Sequence, residues 1–381
     1  MNYIGSKWSL LPFIQNLLDA KQLNGGVFCD LFSGTTAVGQ FAKRLGFQVV
    51  SNDWQYYSYV LGKAFLGCNQ YPTFELLLKA YPQISERQVQ IQPPLPSFSG
   101  DKEYNLRLPL LKVVDWLNSL SGIDTGFVFN NYCYGGTKDS EHSRNYFSDE
   151  NGRSCDAIRQ TLETWKVAEL VNEDEYYLLL AALLDALDSV ANTASVYGAF
   201  LKHLKTTARK PLKLKTPVII PGDKPHKVFC SDANQLIPQL DCDVLYLDPP
   251  YNRRQYATNY HLLETVALGD NPELKGKTGL RPYEHQRSRY CLKLEVERAF
   301  TDLVSHARAR HIILSYNDEG FLSPKEIERI FGMRGRVETH RLTYRRFRAD
   351  KNRDNRNYAP NQNVYEFLFY VRVENEAELA A

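Results

Sequence analysis

Val244-Leu245-Tyr246-Leu247-Asp248-Pro249-Pro250-Tyr251 is the stretch on which the fold of this chain turns. Its first four residues form an apolar run short enough to be a buried strand. Two prolines follow, and they can extend neither a helix nor a ladder. A carboxylate, a proline carbonyl and an aromatic ring are therefore held together at a strand's carboxyl end, where open α/β sheets bind ligands. Those groups are suited to gripping a planar base by its exocyclic amine and stacking on its face. Taken alone, the tetrapeptide from Asp248 to Tyr251 also reads as a proline turn with a helix-capping Asp, so the rest of the chain has to decide.

Upstream, Ser6 to Ala20 carries apolar residues at helical spacing and is closed by Gly25-Gly26. Val27 to Leu31 predicts a buried strand, Phe32 to Thr36 a loop, and Ala37 to Leu45 a helix ended by Gly46. Phe47 to Ser51 predicts a second strand running out at Asn52-Asp53, then a helix from about Gln55 to Phe65. That order opens a doubly wound parallel sheet. The sheet pattern resumes at Lys227 to Asp232 and continues through Val244 to Leu247 and His311 to Asn317. Arg334 to Leu342 and Val364 to Val371 close it as an expected antiparallel pair. In between lie helical stretches at Pro109 to Ser119, Cys155 to Val171 and Asp174 to Ser189, whose Leu/Ala run from Tyr177 to Leu184 reads as core. The expected organisation is an α/β sheet domain over 1–68 and 226–373, an inserted, mainly helical domain over 69–225, and an acidic tail over 374–381.

A chain of 381 residues can bury a large core and form two domains. No run approaches the roughly 20 apolar residues of a membrane span. Met1 to Trp8 lacks a signal peptide's basic start and long apolar stretch, so a soluble, intracellular protein is expected. The seven cysteines are odd in number and never spaced as CxxC, which argues against a zinc site or a disulfide framework. Cys29, Cys230 and Cys242 flank predicted strands and read as small core residues. The net charge of +2 leaves no overall polycation, but the charge is patchy. Eight Lys or Arg and one acid lie between Lys202 and Lys227, and seven Lys or Arg with two acids between Arg341 and Arg356. Such stripes fit a nucleic-acid face, and also a plain solvated surface. Arg345 to Gln362 is basic, Asn-rich and expected to be mobile.

Four acids, Asp30, Asp53, Asp232 and Asp248, fall at predicted strand carboxyl ends. Asp30 precedes a glycine-bearing turn into a helix, where the glycine lets a ligand approach the backbone. Asp53 follows it by a little over the roughly 20 residues at which an acid meets a ribose in dinucleotide folds. The glycines do not spell GxGxxG and no P-loop lysine follows, so NAD and ATP are poorly supported. Asp53 and Asp232 also fit helix N-caps. Four together describe one crevice rim for a ligand rich in amines and hydroxyls.

In these residues the chain resembles the D12 class of N6-adenine-specific DNA methyltransferases, the Dam-like group. Asn2-Tyr3-Ile4-Gly5-Ser6-Lys7 resembles that family's opening motif, whose aromatic (Tyr3 here) and lysine (Lys7) help hold S-adenosylmethionine. Asp30-Leu31-Phe32-Ser33-Gly34 resembles its FxG cofactor loop, Asp53 its ribose-binding acid, and Asp232 the acid near the cofactor's adenine. Asp248 to Tyr251 resembles its catalytic DPPY motif. The resemblance covers roughly residues 1–66 and 227–370 and departs at Thr36, where the family often has a second glycine. It implies a Rossmann-like S-adenosylmethionine-dependent methyltransferase sheet with a target-recognition insert. It also implies double-stranded DNA as substrate, a possible cognate restriction endonuclease as partner, no metal, and a cytoplasmic place at the prokaryotic nucleoid.

The adenine N6 amine is a poor nucleophile because its lone pair is delocalised into the ring. Asp248 and the Pro249 carbonyl are expected to accept its two N–H bonds and localise that pair, with Tyr251 stacking on a flipped-out base. Asn252, Arg253, Arg254 and Tyr256 are expected in a loop over the base, and Arg345, Arg346 and Arg348 at the DNA backbone. RNA adenine and cytosine N4 pose the same electronic problem, so this motif leaves them open. The large insert favours duplex DNA.

Overall fold

The computed structural model describes residues 7–89, 101–344 and 364–374, with the side chains of 101–104, 344 and 364 left aside. The acidic tail beyond Glu374 and the basic stretch from Arg345 to Gln362 lie outside the described residues. The chain divides into two units.

The first unit comprises Gly5–Tyr59, Lys224–Asn259 and Tyr283–Ala381. Its strands are β1 (Val27–Asp30), β2 (Gln48–Asp53), β3 (Lys227–Cys230), β4 (Asp241–Leu247), β5 (Arg308–Asn317), β6 (Val337–Tyr344) and β7 (Val364–Arg372). They form one seven-stranded sheet in the order β3-β2-β1-β4-β5-β7-β6. The first five strands pair in parallel, and β7 is antiparallel to both β5 and β6. Parallel strands are covered on both faces. That is why Val244, Leu245, Tyr246 and Leu247 are all apolar, and all four are buried. Helix Val296–His306 crosses from β4 to β5 and buries Val296, Ala299, Phe300, Leu303 and Val304 at helical spacing. Helix Pro324–Phe331 starts on a capping box between Ser323 and Glu326, with Pro324 in its first turn.

The position of a site follows from the strand order. From β1 the chain steps to β2 on one side, and β4 lies on the other, so the order reverses between β1 and β4. Open α/β sheets bind ligands at such a reversal, beyond the strands' carboxyl ends. Asp30 is in register with Tyr246, and the Leu31 N–H donates to the Tyr246 carbonyl at 3.2 Å. Asp30 and Asp248 therefore leave the sheet at the same rim. One cysteine expectation fails here. Cys29 is buried and Cys242 half-buried, but Cys230 is exposed, because β3 is an edge strand with a partner on one side only.

The second unit takes Val60–Asp223 and Tyr260–Pro282 and is helical. Helices Asp149–Val167 and Glu173–Val190 form its centre, the second starting on a capping box between Asn172 and Glu175. Leu178 to Leu184 is buried without interruption, as expected of core. The helix predicted from Pro109 begins earlier, at Asp101, and runs through that proline to Leu117.

Residues 260–282, expected with the sheet, pack in this helical unit. Arg159 donates from Nε to the Val266 carbonyl at 2.7 Å and from Nη2 to that of Ala267 at 3.3 Å. The Arg144 guanidinium donates to the carbonyls of Asn131, Gly276 and Lys277. The basic stripe is divided as well. Lys224 and Lys227 belong to the sheet unit, and the cations from Lys202 to Lys215 to the helical unit. There the chain runs as an extended strap, pinned by two side-chain amides. The Asn151 Oδ1 accepts from the Leu212 N–H at 2.7 Å, and the Asn118 Oδ1 from that of Leu214 at 2.7 Å. Leu212 and Leu214 turn inward, while Lys210, Lys213 and Lys215 face solvent. Lys205 is spent internally, its Nζ donating to the Thr193 carbonyl at 2.7 Å.

Candidate active site

Asp248 follows the last residue of β4, and the double proline prevents the strand from carrying it onward. Its Oδ1 lies 3.1 Å from the Lys7 ammonium. Lys7, only 6 % exposed, stands in a short 3-10 turn, Lys7–Leu10, leading into helix Leu11–Ala20. Burial raises the Asp248 carboxyl to about 6, with Lys7 opposing and Glu366 adding repulsion. Burial would lower Lys7, but Asp248 and Glu366 outweigh it and hold the ammonium above the ordinary lysine value. Tyr251 is half-buried against the core of the sheet unit, its ring edge-on to Tyr316 at 6.2 Å. Its carbonyl accepts from the Phe321 N–H at 2.9 Å, which fixes the backbone after the prolines.

The loop after β1 is held by backbone donors. Asp30 is buried and accepts from the Gly39 N–H at 3.0 Å, in helix Ala37–Arg44. Burial, then repulsion from Asp248, pushes its carboxyl up to about 8 against that bond. Asp53 accepts from the Gly34 N–H at 2.8 Å and the Gln55 N–H at 2.9 Å. Asp53 thus braces the cofactor-like loop as well as standing at its rim. Ser33 donates its N–H to the Asn52 carbonyl at 2.9 Å, and Phe32 lies edge-on to Tyr290 at 5.2 Å. Gly34 takes φ 50° and Thr36 φ 64°. The second is uncommon for a β-branched residue, and it is the position where the resembled family often has glycine. Thr36 is retained through local bonds, its Oγ1 accepting from Gln40 Nε2 at 2.9 Å.

Asp232 caps helix Ala233–Leu236, its Oδ1 accepting from the N–H groups of Asn234 and Gln235. The loop after Tyr251 is tied down by Gln255, which exchanges two hydrogen bonds with the Ser288 backbone at 2.8 and 3.0 Å. Asn252 accepts from the Arg254 N–H at 3.0 Å, Arg253 and Arg254 are exposed, and Tyr256 opens helix Tyr256–Asn259. Tyr3, Arg345, Arg346 and Arg348 lie outside the described residues.

Two residues of the site escape a reading of the sequence. Glu366 on β7 brings a second carboxylate within 3.9 Å of Lys7. Asn52 is buried, and its amide donates to the carbonyls of Leu31 and Ser231 and accepts from the Ser231 N–H. One side chain thereby spaces the ends of β1, β2 and β3. Asn52→Ala is expected to destabilise the protein by about 2–4 kcal/mol, because each buried polar group left unmet costs roughly 1–3 kcal/mol. Urea unfolding followed by circular dichroism measures this, and an unchanged midpoint would contradict it.

Comparison with known proteins bears on this site. The profile of the D12 class N6 adenine-specific DNA methyltransferase family matches residues 3–95 and 102–330. The chain is 42% identical over 371 residues to Type II methyltransferase M.NlaIII of Neisseria lactamica, covering 97% of this chain and 98% of that one. It is 39% identical over 374 residues to Type II methyltransferase M.FokI of Planomicrobium okeanokoites, covering 98% of this chain and 52% of the relative. It is 36% identical over 377 residues to Modification methylase StsI of Streptococcus sanguinis, covering 98% and 52%. The chain thus spans about half the length of the latter two. No solved structure matches it.

Proposed function

The chain belongs to the D12 class N6 adenine-specific DNA methyltransferases, and we propose that it methylates the N6 amine of an adenine flipped out of double-stranded DNA, using S-adenosylmethionine. The observation that carries this reading is the pair of buried Lys7 and half-buried Asp248 at the sheet's reversal point, with Tyr251 three residues on.

The donor set fits that cofactor. Asp30, Asp53 and Asp248 offer carboxylates at the ends of three adjacent strands, which suits a ligand with an ammonium, a sulfonium and ribose hydroxyls. Lys7, Asp30, Phe32, Ser33, Gly34, Asp53, Asp232 and Asp248, with Tyr3, would hold it. When bound, S-adenosylmethionine supplies an electrophilic methyl group on sulfur. Lys7 engages Oδ1 of Asp248, which leaves Oδ2 to accept one N6 hydrogen while the Pro249 carbonyl accepts the other. Fixed acceptors aimed at the nitrogen where positive charge develops lower the barrier without reorganising. Tyr251 stacks on the extruded base and recovers about 1–3 kcal/mol, comparable with the cost of flipping.

Arg253 and Arg254 from the loop, and Lys210, Lys213 and Lys215 from the strap, would meet phosphates, and the helical unit would read the target sequence. The triple change of those three lysines to Ala is expected to weaken DNA binding and flatten its salt dependence by about 0.9 log units per lost contact. Fluorescence anisotropy across a salt series measures the slope, and an unchanged slope would remove the strap from the DNA face. The relatives' names, Type II methyltransferase and Modification methylase, support a place in a restriction–modification system, and a cognate endonuclease and a place in the prokaryotic cytoplasm belong to this proposal. The deciding experiment is transfer of labelled methyl to unmethylated duplex DNA, followed by nucleoside analysis. N6-methyladenine supports the reading. N4-methylcytosine, or label entering only RNA, overturns it.

A further inference from the structure

Glu366 belongs to none of the sequence motifs, yet it lies beside the buried Lys7 ammonium. It pairs with Asn317 across β7 and β5, and its Oε1 accepts from Asn317 Nδ2 at 3.1 Å. Its Oε2 is buried without a hydrogen-bond partner among the described residues, 3.9 Å from the Lys7 ammonium, which lies 3.1 Å from Asp248. Two carboxylates thus share one cation. A structural ion pair would need one acid, and a buried surplus of negative charge is costly unless something offsets it. The surplus points to a positive charge that arises or arrives at this spot. Among the described residues, the charged and titratable groups acting on Glu366, Asp248 and Tyr251 include Lys7 before the first helix, Tyr246 on β4, Asp30 on β1 and Glu319 after β5.

We propose that Glu366 is a positioning residue of the methyl-transfer site: it claims part of the Lys7 charge, so that Asp248 faces the reacting amine with a net negative charge. This rests on the function proposed above. With Lys7 and Asp248 alone the pair would be neutral, and Asp248 would offer the developing cation little more than a neutral acceptor. The second carboxylate restores the field while staying away from the amine itself.

Glu366→Gln preserves shape and can keep the Asn317 bond. It is expected to lower kcat about tenfold, as removal of one unit charge a few ångströms away would at intermediate dielectric, with the cofactor KM little changed. Its acidic limb moves to lower pH, because Asp248 loses a repelling neighbour. Glu366→Asp, which keeps the charge, returns most of kcat and of the limb. Carbon-13 NMR of the cofactor-free protein follows the Asp248 carboxyl, assigned by its loss in Asp248→Asn, and its midpoint falls in Glu366→Gln. If Glu366→Gln melts like wild type and leaves kcat, limb and midpoint where they were, the proposal is overturned. An inactive wild-type enzyme whose Asp248 midpoint still falls on substitution would instead overturn the methyltransferase reading, and Glu366's catalytic part with it.

Discussion

Asp248→Ala is expected to reduce methyl transfer to duplex DNA about a hundred- to a thousandfold, the loss seen when one preorganised group facing a developing charge is removed. The upper end is expected here, because the change does more than delete an acceptor. Lys7 would remain as a buried ammonium, with Glu366 at 3.9 Å as its remaining ion-pair partner among the described residues. A cation would then stand where the amine becomes positive. Asp248→Asn separates the two effects, since it keeps an acceptor oxygen and removes the charge, and it should fall between Ala and wild type. Cofactor binding, which draws on the loop after β1, should change much less than kcat. Single-turnover rates with saturating DNA and cofactor read the chemical step. An Asp248→Ala enzyme keeping more than about a tenth of wild-type rate would take Asp248 out of the chemistry.

What could be read from the chain follows from the range of the forces involved. The strand before Asp248 was legible because burial on both faces demands an unbroken apolar run, and the prolines mark its end. Asp30 and Asp53 were legible as strand ends for the same local reason. Glu366 was not, because it stands as a single acid in the otherwise apolar run from Val364 to Val371, and nothing in that window names a partner for it. Its importance depends on β7 entering antiparallel beside β5 in the register that sets it against Asn317, a long-range choice no short window encodes. Asn52 likewise reads as a polar stop beside Asp53, and only the assembled rim shows one amide serving three strands. Residues 260–282 follow the catalytic motif in sequence, yet their backbone carbonyls are claimed by Arg144 and Arg159, more than a hundred residues earlier.

Lys7→Met should be the most pH-dependent change in the site. In the intact protein the Asp248 carboxyl is raised to about 6, burial and Glu366 pushing up and Lys7 pulling down. Without Lys7 only the upward influences remain, so the midpoint moves higher. Asp248 accepts amine hydrogens only as a carboxylate, so activity is present above its midpoint and is lost as pH falls through it. For wild type that loss falls near pH 6. In Lys7→Met it extends through neutrality, and turnover near pH 7 is expected to fall about tenfold for each unit by which the midpoint rises above 7. Much of it returns as the pH is raised. Stability runs the other way. A carboxyl whose folded midpoint lies above its unfolded one contributes stability that is full below the unfolded value and lost as pH rises through the folded one. For wild type this window runs from 3.8 to about 6. In the variant it reaches further up, so melting temperature should decline with rising pH over the range in which activity recovers. Opposite pH trends of turnover and melting temperature in one variant are the signature of a carboxylate that the fold disfavours and the reaction requires. Parallel trends, or a turnover deficit constant across pH, would assign Lys7 to packing or to the cofactor alone.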